Sequence, residues 1–282
     1  MFGLLVAGSF SLGDLAIPHI SAASINAIRF WLAILVLAAA HRALLGSLPA
    51  APPQPWRFAI LGGLMATYFF LMFVALNIAP PISTGAVFTL MPLMSAAFGF
   101  LILSQRTTPI VLVSLLVAGA GAVWVIFRGD LDALLGFRIG RGEAIFFVGC
   151  ACHALVASLV KKFNRGEHGL YFSFWSVTCT GIWLTLWAAP DLVQISYGEL
   201  PAIVWLAIGY LAIFATAATF FLVQFASMRL PASKALSYSY ITPAAVILIE
   251  GAIGHGWPSW SVLAGAGLTV VGLAIMAFSA DR

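Results

Sequence analysis

The residues best placed to do chemistry are hydroxyls, rings and isolated ionisable groups sunk in apolar surroundings. Ser237-Tyr238-Ser239-Tyr240-Ile241-Thr242-Pro243 carries five hydroxyls within one apolar stretch. Thr84, Phe88 and Thr89 approach a second proline, Pro92, in an earlier stretch. Tyr68, His153, Ser173, Trp175, Ser176, Thr219 and Gln224 add further polar tips to aromatic surroundings. A mostly apolar wall with a few oriented polar groups is how small solutes are held. The expected binding residues are Tyr68, Phe88, Thr89, His153, Trp175, Tyr238, Ser239 and Tyr240, and an amphipathic or aromatic organic solute fits them. Each has a plain alternative reading as a packing or lipid-facing residue. Covalent catalysis finds less support. Ser158 with His153 is the nearest nucleophile–base pair, and neither H-E-x-x-H nor G-x-S-x-G occurs. No catalytic residue is therefore assigned.

Ionisable groups inside a bilayer are functional candidates by default. Asp14 and Arg29 fall at matching depths on consecutive antiparallel spans, about 6–9 Å below the outer surface at ~1.5 Å per residue. A structural Asp14–Arg29 ion pair is expected. Glu250 lies two turns beyond Pro243 with no nearby cation in sequence, which makes it the ion-coupling candidate. His153 titrates near neutral pH when exposed, and reads equally well as a neutral, hydrogen-bonded ring. Cys150, Cys152 and Cys179 match no metal-site spacing and are expected to be buried thiols. No G-x-x-x-x-G-K-[ST] is present. Neither a cofactor nor a metal is expected.

These groups need elements to hold them, and composition says which. Hydrophobic residues make up 62% of the chain and charged residues 8%, with a mean hydropathy of +1.07. Soluble domains carry about 25% charged residues, so the chain reads as an all-α polytopic membrane protein. A span needs about 20 predominantly apolar residues, and ten segments come close: roughly 1–17, 23–44, 56–79, 83–103, 108–127, 142–162, 169–188, 202–228, 234–254 and 259–278. Prolines and glycines punctuate the joints. Leu131, Leu134, Leu135 and Phe137 are expected to form a short interfacial helix, and the stretch around Leu192, Val193, Ile195 and Tyr197 another. Met1 leads into Phe2-Gly3-Leu4-Leu5 with no basic stretch, unlike a signal peptide. The first span looks short at its inner end, so the true start is expected upstream.

Nine Lys/Arg lie in loops on the side of the N-terminus (Arg42, Arg57, Arg106, Lys161, Lys162, Arg165, Arg229, Lys234, Arg282). Three lie on the other side, Arg128, Arg138 and Arg141. The positive-inside rule then puts both termini in the cytoplasm. A net charge of +4 spread over such short loops is no nucleic-acid footprint.

The second half repeats the first. At an offset of 151, Ala66, Phe69, Phe70, Leu71 and Ala75 fall on Ala217, Phe220, Phe221, Leu222 and Ala226. Pro80, Pro92, Gly121 and Phe127 fall on Pro231, Pro243, Gly272 and Phe278. A match in register over about 70 residues argues for an internal repeat. With five spans per copy, the second copy enters the bilayer inverted. The expected division is a first repeat at 1–127, a linker on the outer side at 128–141 and a second repeat at 142–282. Inverted repeats with paired helix interruptions mark secondary transporters, whose site lies between the halves. Pro92 and Pro243 are such a pair, each lacking an N–H and freeing a carbonyl four residues back. Gly119-Ala120-Gly121 and Gly265-Ala266-Gly267 follow no strand, so they read as close-approach points between helices and not as nucleotide fingerprints.

At this point the chain resembles the drug/metabolite transporter superfamily in its ten-helix form with two EamA-type repeats. Asn26-Ala27-Ile28-Arg29-Phe30 is similar to its second-span element, and Leu90-Met91-Pro92 and Ile241-Thr242-Pro243 to its proline elements. Leu103-Ser104-Gln105-Arg106-Thr107 is similar to its motif at the end of span 4, with Gln105 in place of the usual glutamate and Gly256 at the equivalent place after span 9. The missing glutamates and the run from Ser237 to Pro243 resemble the aromatic amino-acid exporter branch, the YddG type. The resemblance implies export of a metabolite by alternating access without ATP, from the cell's inner membrane. The alternatives are a nucleotide-sugar or lipid-linked-sugar transporter of the same fold, an intramembrane enzyme, or a scaffold. The expected partners are a small-molecule substrate and the lipid bilayer, with no nucleic acid. The chain is expected to work as a monomer or a homodimer.

Overall fold

The structure, a computed structural model, describes residues 2–136, 139–254 and 256–277, and the side chains of all of these except 2–4, 238 and 277. Every regular element among the described residues is helical. Helices α1 (Phe2–Ala16), α2 (Ala22–Leu45) and α3 (Pro55–Leu76) come first, followed by the split pair α4 (Pro81–Phe88) and α5 (Met91–Leu103). After α6 (Pro109–Ile126) come the short α7 (Leu131–Leu135), α8 (Arg141–Phe163) and α9 (Gly169–Leu192). Helices α10 (Ala202–Ala212) and α11 (Thr219–Arg229) are joined by a π segment, Ile213–Ala218. The chain ends with α12 (Ala232–Ala235), a 3₁₀ turn at Ser237–Ile241, α13 (Thr242–Ala252) and α14 (Trp260–Ala277). Six helical stretches among the described residues are long and apolar enough to cross a membrane. Leu5–Ala16, Ser239–Ala252 and Trp260–Met276 are apolar and shorter.

The prolines set the helix starts. Pro55, Pro81, Pro92, Pro109 and Pro243 all stand in the first turn of a helix. A missing N–H costs nothing there, because the first amides of a helix have no internal partner. Helix α2 begins with the Ser21 hydroxyl accepting the Ser24 N–H at 3.2 Å and ends at Gly46, whose φ of 76° suits glycine. The expected interfacial helix at 131–135 forms as α7, with Asp130 Oδ1 accepting the Ala133 N–H; Phe137 lies outside the described residues. The second expected interfacial segment differs. Helix α9 runs on through Pro190 to Leu192, and only a 3₁₀ turn, Tyr197–Glu199, follows.

Packing runs across the two halves of the chain. Helix α3 packs on α8 and α9, α2 on α9, α13 on α1 and α4, and α6 on α14. Glycines allow the last contact: a Cβ on Gly121 would stand 2.5 Å from the Gly265 carbonyl oxygen, and one on Gly272 2.5 Å from the Ala118 Cβ. Near the loop ends of the two split spans, Gln105 Oε1 accepts the Ala232 N–H at 3.2 Å, and the Ser95 hydroxyl donates to the Ala232 carbonyl at 3.1 Å. Leu35, Leu101, Leu186, Leu206 and Leu248 turn outward with more than half of their surface open. Such a face meets lipid at no cost, whereas water would penalise it.

Candidate functional site

Two of the spans are broken where the prolines stand. Helix α4 stops at Phe88, and α5 starts at Met91 with Pro92 in its first turn. Between them the Thr89 and Leu90 amides reach only three residues back, to Ala86 and Val87. The second break is wound as 3₁₀ through Ser237–Ile241, and the Ser239 carbonyl that Pro243 frees accepts the Thr242 N–H. Tight turns thus take up backbone groups that hydrocarbon would leave unpaired.

Beside the first break lies a narrow cavity, with room for a water-sized sphere to centre in only about 30 Å³. Its walls come from α1 (Val6, Ser9), α3 (Met65, Tyr68, Phe69), α4 (Phe88), α8 (His153, Val156), the π segment (Ala215) and α11 (Thr219, Phe220, Val223, Gln224). The rings interlock. Tyr68 lies 4.6 Å from His153 and 5.7 Å from Phe146, Phe88 lies 6.2 Å from His153, and Phe69 stacks on Phe220. Polar atoms remain available among them: His153 Nδ1 and Gln224 Oε1 are buried with no hydrogen-bond partner. Buried polar atoms are normally paired, and these two are not. Among the described residues no Asp, Glu, Lys or Arg stands in the lining, and no cluster of metal-ligating side chains occurs.

Tyr68, Phe88 and His153 are the expected binding residues that the fold brings to this cavity. Thr89, Trp175, Ser239 and Tyr240 are not brought there. The Thr89 hydroxyl turns back onto the Ala86 carbonyl at 2.6 Å. The Trp175 indole N–H donates to the Ala50 carbonyl at 2.9 Å and ties down the loop between α2 and α3. Tyr240 is buried against Val111, Leu115, Ala118 and Met276, on the α6–α14 side. Ser239 is buried nearby with its hydroxyl unpartnered, and the Tyr238 side chain lies outside the described residues. Glu250 is buried on α13 and does not reach the lining.

The expected Asp14–Arg29 pair is not made. Arg29 is fully buried, and none of its three guanidinium nitrogens has a hydrogen-bond acceptor. Its guanidinium carbon lies 4.4 Å from the Phe69 ring centroid, 5.3 Å from Phe73 and 5.4 Å from Phe30. Equal depth on neighbouring helices does not fix equal azimuth, and the side chain turns to the phenyl faces. Two features of the site have no counterpart in the sequence reading. One is the π segment, which carries Ala215 into the cavity and precedes Thr219 directly. Such turns recur at functional sites, and no residue pattern signals this one. The other is Phe69–Phe220, visible in the sequence only as two repeat-related positions.

The EamA-like transporter family model matches the chain twice, over residues 1–127 and 140–278. The chain belongs to the EamA-like transporter family. It is a membrane transporter. The chain is also similar to the uncharacterized transporter YyaM of Bacillus subtilis (strain 168), 23% identical over 274 residues that cover 96% of this EamA-like chain and 90% of YyaM. A solved crystal structure, 22% identical, superposes with a TM-score of 0.73 over 98% of this chain and 93% of that one. That second likeness is one of fold.

Proposed function

We propose that this EamA-like protein is a secondary transporter of the inner membrane that exports small amphipathic metabolites, aromatic amino acids first among them. It works by alternating access without ATP. The observation that carries the reading is the narrow aromatic cavity, lined by repeat-related residues of both halves and set beside a broken span. Ten spans in two inverted repeats, 1–127 and 142–282 joined through 128–141, are the architecture proposed. The two family matches and the 151-residue offset support it. The Lys/Arg asymmetry supports termini in the cytoplasm.

Tyr68, His153, Thr219 and Gln224 orient polar groups on the side chain of the solute, such as the indole N–H of tryptophan, while Phe69, Phe88 and Phe220 receive its apolar body. A cavity this narrow belongs to a closed form. Relative movement of the halves about the breaks at Pro92 and Pro243 opens it to either side. Coupling to protons through the buried Glu250 is a separate part of the proposal. If Glu250→Gln keeps both the rate and its pH dependence, that part is lost.

The test is uptake of labelled tryptophan or phenylalanine into proteoliposomes, with and without unlabelled solute inside. Saturable, protein-dependent uptake supports the reading. Absence of uptake removes aromatic amino acids as substrates.

A further inference from the structure

Arg29 and Arg57 are both buried almost completely, and they differ in one respect. Arg57 donates to the Phe163 carbonyl and to Glu167 Oε1, the latter at 2.7 Å. Its charge is neutralised and both terminal nitrogens donate, only Nε being left without an acceptor. Arg29 spends none of its donors, since Nε and both terminal nitrogens reach no acceptor. Phenyl faces attract a desolvated cation, but they do not replace the acceptors of its N–H groups. A guanidinium has five donors in a fork that fits a carboxylate, and a buried charge left without acceptors is costly. A purely structural arginine would be partnered as Arg57 is.

One turn before Arg29 on the same face of α2 stands Asn26, also fully buried. Its amide nitrogen donates to the Ala22 carbonyl at 2.7 Å and to the Phe69 carbonyl at 3.4 Å. Two carbonyl acceptors on that side fix the orientation of the amide. The other end, Oδ1, is therefore an acceptor, and it has no donor. An orphaned cationic donor set and an orphaned acceptor thus lie one turn apart. Phe69 connects both to the cavity: its carbonyl takes Asn26, one face of its ring covers Arg29, and the same ring lines the cavity.

We propose that Arg29 and Asn26 form the receptor for the head group of an α-amino acid. Arg29 takes the carboxylate in a bidentate pair, and Asn26 Oδ1 accepts from the ammonium group. The aromatic side chain of the solute remains in the cavity among Tyr68, Phe88 and His153. The receptor is reached when Phe69 swings away from Phe220, so the aromatic partition hides the charge until a solute arrives. This inference rests on the transport reading and narrows it from amphipathic solutes to zwitterionic ones.

The experiment uses three matched probes on the full chain: phenylalanine, phenethylamine without the carboxylate, and 3-phenylpropionate without the amine. Each competes with labelled phenylalanine in proteoliposomes, and each is also added to detergent-purified protein in a thermal-shift assay that needs no flux. In wild type, phenethylamine is expected to compete about 10- to 100-fold more weakly than phenylalanine, the worth of a charge-assisted hydrogen-bonded contact. Arg29→Met should erase that difference, Arg29→Lys should retain part of it, and Asn26→Ala should erase the weaker preference for phenylalanine over 3-phenylpropionate. Equal competition by phenylalanine and phenethylamine in wild type overturns the inference while leaving transport intact, and needs no variant to fold. So does an undiminished preference in Arg29→Met. If no probe is carried, the aromatic amino-acid reading fails, and the thermal shift decides the receptor. Stabilisation by 3-phenylpropionate that Arg29→Met loses supports it, and no carboxylate-dependent shift in wild type overturns it.

Discussion

Phe69 and Phe220 stack with ring centroids 6.1 Å apart and planes inclined by 21°, and the two positions are 151 residues apart in sequence. The offset that relates the two halves of the chain therefore also relates two facing walls of the cavity. Phe30 meets both rings edge-on, at 5.1 and 5.7 Å, which holds the stack in place.

Phe220→Leu keeps most of the volume and removes one aromatic face. An aromatic contact beyond simple burial is worth about 0.5–1.5 kcal/mol, so half-saturation for an aromatic solute should rise roughly three- to tenfold. An aliphatic solute of similar size should be affected less. Competition by phenylalanine and by leucine in the same vesicles checks this; an equal change for both contradicts it.

What the sequence makes legible here is what local chemistry decides. Pro92 and Pro243 predict broken spans because a missing N–H cannot be supplied by lipid, and the breaks lie at those prolines. Tyr68, Phe88 and His153 are legible as polar or aromatic groups at depth. The run Ser237–Ile241 misleads because a 3₁₀ turn winds 3.0 residues per turn instead of 3.6. The faces predicted by helical periodicity therefore rotate, and Tyr240 ends against α6 and α14. Arg29 misleads because depth along a helix is readable while azimuth is set by packing. The π segment is invisible for the same reason: its extra residue per turn is imposed by neighbours, not by Ile213–Ala218 itself.

The Arg57–Glu167 bond gives a pH dependence. Burial pushes the Glu167 carboxyl up, but hydrogen bonds from Arg57 and from the Arg165 and Glu167 backbone N–H groups outweigh it and hold the group below its ordinary value. A depressed carboxylate adds stability that is fully present above the unfolded-state value, about 4.3. That stability is lost as pH falls through the folded-state value. Glu167→Gln should therefore unfold at a lower temperature than wild type at pH 7, with the gap closing as pH falls below about 4. Thermal unfolding in detergent at several pH values reads this, and a gap independent of pH contradicts it.

The α6–α14 contact predicts a position-specific cost. Gly121→Val forces a side chain into the Gly265 carbonyl, whereas a Cβ on Gly267 meets nothing within 4 Å. Overpacking costs about 1–3 kcal/mol, so Gly121→Val should lower the unfolding temperature measurably and Gly267→Val should not. Neither glycine reaches the cavity, so half-saturation measured on the surviving folded Gly121→Val should match wild type.

Two sets of polar residues compete for the role of binding site, and a paired substitution separates them. Tyr68 and His153 lie on the cavity with rings 4.6 Å apart. Ser239 and Tyr240 are equally buried, but Tyr240 faces the α6–α14 pair. Their hydroxyls have no hydrogen-bond partner, so Ser239→Ala and Tyr240→Phe leave no new polar atom stranded and are expected to change half-saturation less than twofold. His153→Leu removes a polar group that faces the cavity and adds no charge. One lost hydrogen bond to the indole N–H of bound tryptophan is worth about 0.5–1.5 kcal/mol, so half-saturation for tryptophan should rise roughly three- to tenfold. Transport at several solute concentrations, normalised to folded protein in the vesicles, distinguishes the two sets. A large effect from Tyr240→Phe with none from His153→Leu would move the site from the cavity to the second helix break.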